Sequence, residues 1–300
     1  MLLSTSFHDS NQTNRSHEDN HPTGTVSPKP NIQTSVNQNA NTTHTFHVAH
    51  AAVMTIAGYV AYAFMDQAHL SVWLSVMLSV LIAIAVGILI DRSLYVWLRR
   101  NGASGMIIFM ASVGLVTVVE GAVAIIWGPG DLSYAFLPSR AVYIGSVGVS
   151  PANLVMYSGI IFILALVLYT VRTRPGRTLR AAGDSLEAVN LLGLRTDIIY
   201  MLAFGIGSGL VALVGFILGW YEGLSPSMGL SVVLLAAAAT IIGGRYGLLP
   251  GAIIGFVIGL AQVAVGILIG TTWQDAIVYG ILLVVIVARP SGLFGTSLRL

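Results

Sequence analysis

A carboxylate inside an apolar segment is the most unusual chemical group in this sequence. Glu120 lies eight residues before Gly128, roughly 12 Å from that end of the segment at about 1.5 Å per helical residue. A charge at such a depth costs at least about 2.5 kcal/mol, so we expect Glu120 to face protein or water, or to be protonated. Gln262 is the matching polar residue in a later apolar segment. We expect the two side chains to meet and share a hydrogen bond, either lining a solute path or linking two helices.

The other groups that could do chemistry are poorly placed for it. His44, His47 and His50 are spaced by three and could bind zinc, but no carboxylate lies beside them, so we expect no metal site. Every histidine falls within the first 69 residues, which leaves no credible Ser/His/Asp set. The absence of cysteine excludes thiolate catalysis and disulfides. The single lysine, Lys29, lies between two prolines, so the chain has no standard P-loop.

Composition indicates that these groups lie in a membrane protein. Charged residues make up 9% of the 300-residue chain, against about 25% in a typical soluble domain. Hydrophobic residues make up 55%, and the mean hydropathy is +0.83. A soluble fold of this size could not bury so much apolar surface. We therefore expect an integral membrane protein and not a cytosolic enzyme. The residues predict no cofactor, and no basic patch with aromatic residues indicates a nucleic-acid partner.

Long apolar stretches alternate with short polar breaks from residue 48 onward. A span needs roughly 20 residues, and backbone groups in lipid must be satisfied within the segment, so we expect helices rather than strands. The sequence predicts an all-α fold: a polytopic transmembrane helical bundle of about eight apolar segments. The first, sixth and last segments are short and could be tilted, re-entrant or broken. The segments are 48–65, 70–90, 105–127, 151–171, 198–219, 228–243, 251–270 and 276–288.

Arginine predicts the orientation of the segments. The breaks 91–104 and 172–197 are rich in arginine, and they alternate with breaks that are poor in it. The arginine-rich side is expected to be cytoplasmic, which places the C-terminal tail 296–300 in the cytoplasm. Residues 1–47 are rich in Asn, Thr and Ser and hold no spanning run, so we expect a disordered polar tail. The membrane domain is then 48–295.

The longest cytoplasmic break predicts a docking element. Pro175-Gly176 indicates a turn. After it, an acidic or hydroxyl residue caps a short helix, its leucines form an apolar face, and a glycine ends it. Such an amphipathic helix, parallel to the membrane, suits a groove on a partner protein. Its residues are Asp184, Ser185, Leu186, Glu187, Ala188, Leu191, Leu192 and Gly193.

An ordered run of motifs resembles the permease subunits of branched-chain amino-acid ABC transporters. The stretch Gly176-Arg-x-Leu-Arg180, followed by Leu-Leu-Gly-Leu ending at 194, looks like the cytoplasmic loop of that family. The resemblance covers roughly 47–295. The other similar stretches are His47-Val-Ala-His50, Asp91-Arg92, Ser225-Pro226, Ile242-Gly-Gly244, Pro250-Gly-Ala252 and Arg289-Pro-Ser-Gly-Leu-Phe-Gly295.

The resemblance implies an inner-membrane permease subunit of an ABC importer, with no ATP site of its own. The solute would be a branched-chain amino acid or a similar small polar molecule. The implied partners are ABC ATPase subunits, a second homologous permease and a periplasmic or extracellular solute-binding protein, besides the lipid bilayer. The 184–193 helix would be the coupling helix that passes ATPase closure to the membrane helices. Family members usually carry an apolar helix where this chain has its polar tail, so we expect either a lost first helix or a tail that is not the natural start.

Glycine spacing predicts close helix packing in the seventh segment. Small residues let helix backbones approach where lipid gives no hydrophobic drive. A sharper interpretation is that such faces slide during transport. The glycines recur every four residues on one helical face, at Gly247, Gly251, Gly255 and Gly259.

Short, interrupted segments in both halves of the chain point to a solute path near the membrane midplane. One begins near His50, and the other is flanked by Ser225-Pro226 and Gly243-Gly244. Ordinary loop chemistry explains these breaks equally well. The expected path residues are His50, Glu120, Pro226, Gly229 and Gln262.

Three alternatives remain open at this point. Urea and short amides are carried by close relatives of the family, and nothing in the sequence separates these solutes. A non-transporting remnant would follow from a lost first helix. A stand-alone channel or secondary transporter would need ion or proton sites inside the membrane, for which Glu120 alone is thin support.

Overall fold

The computed structural model describes residues 48–134, 142–144, 147–149, 151–184, 191, 193, 195–243 and 248–288. A two-stranded antiparallel hairpin, β1 (Val142–Ile144) and β2 (Val147–Val149), follows the fourth helix. The other elements are helices. They are α1 (Ala49–Tyr62), α2 (Val72–Ile90), α3 (Val96–Arg100), α4 (Gly105–Trp127), α5 (Pro151–Arg172), α6 (Arg174–Asp184), α7 (Thr196–Tyr221), α8 (Met228–Gly243), α9 (Leu248–Leu268) and α10 (Gln274–Ala288).

The predicted helical bundle is confirmed, with a helix at each of the eight apolar segments. Five stretches of the described chain are long and apolar enough to cross a membrane, and a bent pair adds a sixth. The five are Val72–Arg100, Gly105–Trp127, Thr196–Tyr221, Pro250–Leu268 and Thr271–Ala288. The first and sixth segments are short as expected, with 14 residues in α1 and 16 in α8. The last is longer than expected, because a 3₁₀ turn at Thr271–Trp273 precedes α10.

The predicted break at 91–104 is wrong in its first part. The helix does not stop at Asp91 but continues through a π-helical turn, Asp91–Tyr95, into α3. A second π-helical turn, Ala63–Gln67, extends α1. Asp91 can stay in the helix because Arg99 neutralises its charge at 2.8 Å. The loop is therefore confined to the residues around Gly102, whose φ is +67°.

The short helix α1 lies at the centre of the fold. Ten of its residues are buried, and α2, α4, α7 and α8 pack around it. The apolar side chains of α2 and α4 that point away from α1 stay exposed, among them Trp73 at 87% and Ile125 at 86%. A bundle whose outer surface is apolar is stable in lipid, where exposed aliphatic groups carry no penalty.

The C-terminal helices form a second cluster. Val278 of α10 is fully buried, with Ile254 and Ile258 of α9 and Ala238 and Ile242 of α8 around it. The helix α8 joins this cluster to α1, because it packs on α1 as well as on α9 and α10.

Candidate functional site

Glycines allow α7 and α8 to approach the backbone of α1 closely. A Cβ at Gly215 of α7 would lie 2.8 Å from the carbonyl oxygen of Met54. A Cβ at Gly229 of α8 would overlap the carbonyl oxygen of Ala51 and lie 2.5 Å from Thr55 Oγ1. Side chains larger than glycine would push these helices apart. Gly229, an expected path residue, therefore lies directly on the central helix.

His50, a second expected path residue, lies near the first turn of α1. Its ring stacks on Phe204 of α7 with centroids 5.2 Å apart and planes at 20°. A Cβ at Gly207 would lie 2.6 Å from His50 Nε2, so the glycine makes room for the imidazole. Phe204 also contacts Tyr95 of the π turn, at 5.2 Å between centroids. The imidazole is thus part of an aromatic group that joins α1, α2 and α7.

Glu120 lies on the face of α4 that packs on α1. Val116, one turn before it, is buried with Ala51 and Ala52 of α1, and Val123 is buried with Met54. Glu120 Oε1 is buried and has no hydrogen-bond partner among the described residues. Thr55 Oγ1 of α1 is likewise buried, with no hydrogen-bond partner among the described residues. Buried polar atoms are nearly always paired in folded proteins. These two oxygen atoms are therefore available to form hydrogen bonds with another molecule.

The expected hydrogen bond between Glu120 and Gln262 is wrong. Gln262 Nε2 donates instead to Asp275 Oδ1 of α10 at 3.3 Å. The helix α9, which carries Gln262, packs mainly on α8 and α10, whereas Glu120 faces α1. The two segments are matched in the sequence, but their positions in the bundle differ.

Gln262 belongs to a separate polar group at the ends of α7, α9 and α10. Glu222, just after α7, lies near enough to Asp275 for the two carboxylates to interact. Burial, with a smaller contribution from Asp275, raises the pKa of Glu222. The arginine pattern predicts that this group lies on the external side of the membrane.

The C-terminal end of α1 is covered by two loop segments. Leu132 and Leu224 exchange backbone hydrogen bonds of 2.9 and 2.7 Å. Tyr134 Oη donates to the carbonyl of Gly58 at 2.9 Å, and Tyr59 Oη donates to the carbonyl of Leu224 at 3.3 Å. Burial raises the pKa of Tyr134, and the negative charge of Asp66 adds to this effect. Pro226, the remaining expected path residue, lies in the turn between Leu224 and α8.

The C-terminal end of α2 carries an ion pair, and a ring contact joins this pair to α7. The Asp91 side chain is fully buried, and Arg99 donates to it at 2.8 Å with its own side chain 20% exposed. The Arg99 guanidinium also lies 4.1 Å from the ring centroid of Tyr200, in the first turns of α7. A second pair, between Arg100 and Asp197, is long at 3.8 Å and exposed. The arginine pattern predicts only a topological role for Arg99, although Asp91, eight residues before it, is a signal that this arginine is paired.

The predicted turn at Pro175-Gly176 is also wrong, because both residues lie in the first turn of α6. The bend comes two residues before Pro175, at Thr173, and turns the chain by 78°. Thr173 Oγ1 accepts from the backbone N–H of Gly176 at 3.3 Å, as the cap of α6. Proline is tolerated in a first turn, where its missing N–H has no partner to lose. A Cβ at Gly176 would overlap the carbonyl oxygen of Thr170, so the sharp bend requires glycine there.

The helix α6 rests on the start of α7. Leu179 and Ala182 pack against Ile199. Ile199 is next to Tyr200, whose ring contacts the guanidinium of Arg99. The helix α6 is therefore in contact, through α7, with the end of α2 and the aromatic group around His50.

Most of the predicted coupling helix lies outside the described residues. This holds for Ser185, Leu186, Glu187, Ala188 and Leu192. Asp184 is the last residue of α6. Leu191 is 84% exposed, and Gly193 has a φ of +78°, a conformation that suits a helix stop. The role of these residues stays a prediction.

The glycine stripe of the seventh segment divides into contacts and open positions. A Cβ at Gly251 would lie 4.0 Å from Thr240 Cα, and one at Gly255 would lie 3.8 Å from Ala239 Cβ, both on α8. Gly259 has open space around it, and Gly247 lies outside the described residues. Two of the four glycines therefore face α8, at ordinary contact distance.

These features define a polytopic helical membrane protein built around a short, enclosed helix. Residues 41–287 match the sequence model of the family described as "Branched-chain amino acid transport system / permease component", and the chain belongs to that family. The family predicted from the motifs is thereby confirmed.

Individual relatives agree with this assignment. The chain is 28% identical over 262 residues to the high-affinity branched-chain amino acid transport system permease protein LivH of Salmonella typhimurium, covering 82% of this chain and 84% of the relative. It is 28% identical over 267 residues to the corresponding protein BraD of Pseudomonas aeruginosa, covering 82% and 85%. The autoinducer 2 import system permease protein LsrC of Photorhabdus laumondii is 33% identical over 136 residues, which is 42% of this chain and 40% of the relative. No solved structure matches the chain.

Proposed function

We propose that the chain is the membrane-spanning permease subunit of an ABC importer for branched-chain amino acids or a similar small polar solute. The observation that carries this proposal is the family match, which runs from α1 into α10. The relatives that are matched over most of their length are named for branched-chain amino acid transport. In this role the chain sits in a bacterial inner membrane with its C-terminus in the cytoplasm. It pairs with a second permease and receives solute from an external binding protein, while separate ATPase subunits supply the energy.

The contacts at the cytoplasmic side suggest how ATPase movement reaches the core. An ATPase that pushes on the 184–193 segment also pushes on α6, which is packed on Ile199 of α7. Tyr200 then carries the displacement to Arg99 and Asp91 at the end of α2. Close-packed helices move as rigid bodies, so a shift of α7 also moves its contacts with α1 at Gly215.

The proposed solute path runs along α1. Glu120 of α4 faces α1, and Thr55 of α1 lies beside Gly229 of α8; each offers a buried polar atom with no hydrogen-bond partner among the described residues. His50 lies on the cytoplasmic side of this group, and Pro226 lies on the external side. Gln262 belongs to the separate outer group with Asp275, where it can act only at the entrance.

Co-purification with transport tests the proposal. The tagged chain, extracted in mild detergent, should bring ATPase subunits and a second permease, and the reconstituted complex should take up labelled leucine only with ATP. Glu187→Arg with Leu191→Asp should release the ATPases and leave the permease pair intact. Uptake without ATP, by the chain alone, would instead favour a stand-alone channel or secondary transporter. A folded chain with no partners would favour a remnant.

The absence of cysteine allows a direct test of the path. Glu120→Cys should react with a charged, membrane-impermeant thiol reagent in the assembled transporter, and solute should slow the reaction. Val118→Cys is the matched control, because Val118 is 68% exposed on the opposite side of α4 and faces lipid. Equal labelling at the two positions, or no labelling at 120 in any state, contradicts a path along α1. Competition with valine, urea and acetamide then separates the solute classes.

A further inference from the structure

Exposed arginines surround the bend between α5 and α6. Arg172 is the last residue of α5, and Arg174 and Arg177 lie in the first turns of α6. All three side chains are exposed. The ion pairs found among the described side chains are formed by Arg99 and Arg100. The charge of the three arginines at the bend is therefore not compensated within the part of the chain that the structure describes.

The basic face of α6 points away from the rest of the protein. Leu179 and Ala182 face α7 at Ile199. At about 100° per residue, Arg177 lies roughly 200° around the helix from Leu179. The axis of α6 makes an angle of 78° with that of α5. With α5 as the spanning part of this bent pair, α6 runs nearly parallel to the membrane surface, at the depth where α5 leaves the bilayer.

The neighbouring surface of α5 is apolar down to this bend. Ile161 is 68% exposed and Phe162 60%, in the middle of the helix. Tyr169, one turn before Arg172, is 68% exposed. A tyrosine near the end of a span is typical of the interface between hydrocarbon and headgroups. From α5 to α6, the surface is first apolar, then carries the ring of Tyr169, and then carries the unpaired arginines. This order matches that of a lipid leaflet, from hydrocarbon through the interface to the charged headgroups.

We propose that the face formed by Arg172, Arg174 and Arg177 binds the headgroups of anionic phospholipids in the cytoplasmic leaflet. The helix carries the features of an interfacial anchor: an apolar side, a basic side and an axis in the membrane plane. Basic side chains next to a cytoplasmic leaflet attract anionic lipid with about 1 kcal/mol each, or roughly fivefold in affinity. Arg180 differs from these three arginines, because its Nη2 donates a hydrogen bond to the carbonyl of Val171, at the end of α5, at 3.0 Å. Bound lipid would hold α6 at the membrane surface, and this inference is independent of the ATPase partners.

The test measures phospholipid binding to the purified full-length chain. Native mass spectrometry in detergent, with phosphatidylglycerol added in steps, gives the Kd of the first bound lipid, and phosphatidylcholine is the neutral comparison. The variant Arg174→Gln with Arg177→Gln should raise the Kd for phosphatidylglycerol roughly 25-fold and leave that for phosphatidylcholine unchanged. The matched control, Arg100→Gln with Arg195→Gln, removes the same charge from the same side of the membrane and should change neither constant.

Further arms separate the sources of binding. Arg174→Lys with Arg177→Lys should retain the phosphatidylglycerol affinity, because the attraction to an anionic leaflet depends on positive charge, which lysine keeps. Millimolar inorganic phosphate should not displace the lipid; displacement would assign an anion site rather than a lipid site. If the Gln variant and its control lose the same phosphatidylglycerol affinity, binding depends on overall positive charge and not on this face, which overturns the proposal. A Gln variant that keeps its lipid but no longer retains ATPase subunits would assign the face to a protein partner, and would also overturn it.

Discussion

The ion pair of Asp91 and Arg99 offers a prediction in which two single substitutions differ in size. The Asp91 side chain is completely buried, whereas the Arg99 side chain is 20% exposed and also rests on Tyr200. Replacing Arg99 by Met leaves a buried carboxylate with no counter-charge. Replacing Asp91 by Asn leaves a guanidinium that keeps its aromatic contact and can reach water. The arginine substitution should therefore be the more damaging one.

The magnitudes follow from this asymmetry. Breaking a buried pair so that one charge stays behind costs about 3–5 kcal/mol, which we expect for Arg99→Met. For Asp91→Asn we expect about 1.5–3 kcal/mol, the cost of a lost charge-assisted hydrogen bond. The double variant should be more stable than Arg99→Met alone, because the orphaned charge is gone. The coupling energy should therefore be at least about 1 kcal/mol.

Unfolding in mixed micelles with increasing SDS, followed by tryptophan fluorescence, measures these differences. Arg100→Met is the matched control, since its pair with Asp197 is 3.8 Å long and its side chain is 74% exposed. It should change the free energy of unfolding by less than about 0.5 kcal/mol. Equal costs at Asp91 and Arg99, or strict additivity in the double variant, would refute the reasoning from burial.

Three further predictions concern the bend and the external side. Gly176→Ala should disrupt the bend between α5 and α6 and lower the yield of folded chain, whereas Gly183→Ala, with open space around its Cβ position, should be tolerated; size-exclusion profiles compare the two. Tyr134→Phe should cost about 1 kcal/mol in the same SDS assay, because the carbonyl of Gly58 loses its donor. Glu222 has a raised pKa in the folded chain, so its contribution to stability falls as pH rises above its ordinary value of 4.5. Glu222→Gln should therefore be more stable than the original chain at pH 7 and show no gain at pH 4, and a gain of the same size at both values would contradict this sign.

The positions of the helices could be predicted from the sequence because lipid imposes one solution on the backbone. An apolar run must pair its own N–H and C=O groups, so hydropathy alone locates the segments 105–127 and 228–243 almost to the residue. The family could also be predicted, since its motifs occur in order along the chain. Both inferences use information that is local or sequential.

Contacts between segments could not be predicted in the same way. The sequence offered Glu120 and Gln262 as partners because their segments occupy matching places in two halves of the chain. Symmetry of sequence does not fix which faces meet, and Gln262 found a nearer acceptor in Asp275, just across a short turn. Local pairs of this kind are favoured because short loops keep the partners close.

The predicted breaks at Asp91 and at Pro175-Gly176 show the opposite case, in which a local signal does not decide the structure. Asp91 reads as the end of a helix, and Pro175-Gly176 reads as a turn, when each is considered with its immediate neighbours alone. In the fold, the charge of Asp91 is compensated two turns later by Arg99, and the proline falls where no N–H is needed. Each residue is therefore compatible with a helix once its partner is counted. Both places lie beside the loop that we propose meets the ATPases. The stretch that extends α2 to Arg100, and the helix α6 packed on α7, can transmit a displacement that two flexible loops would absorb.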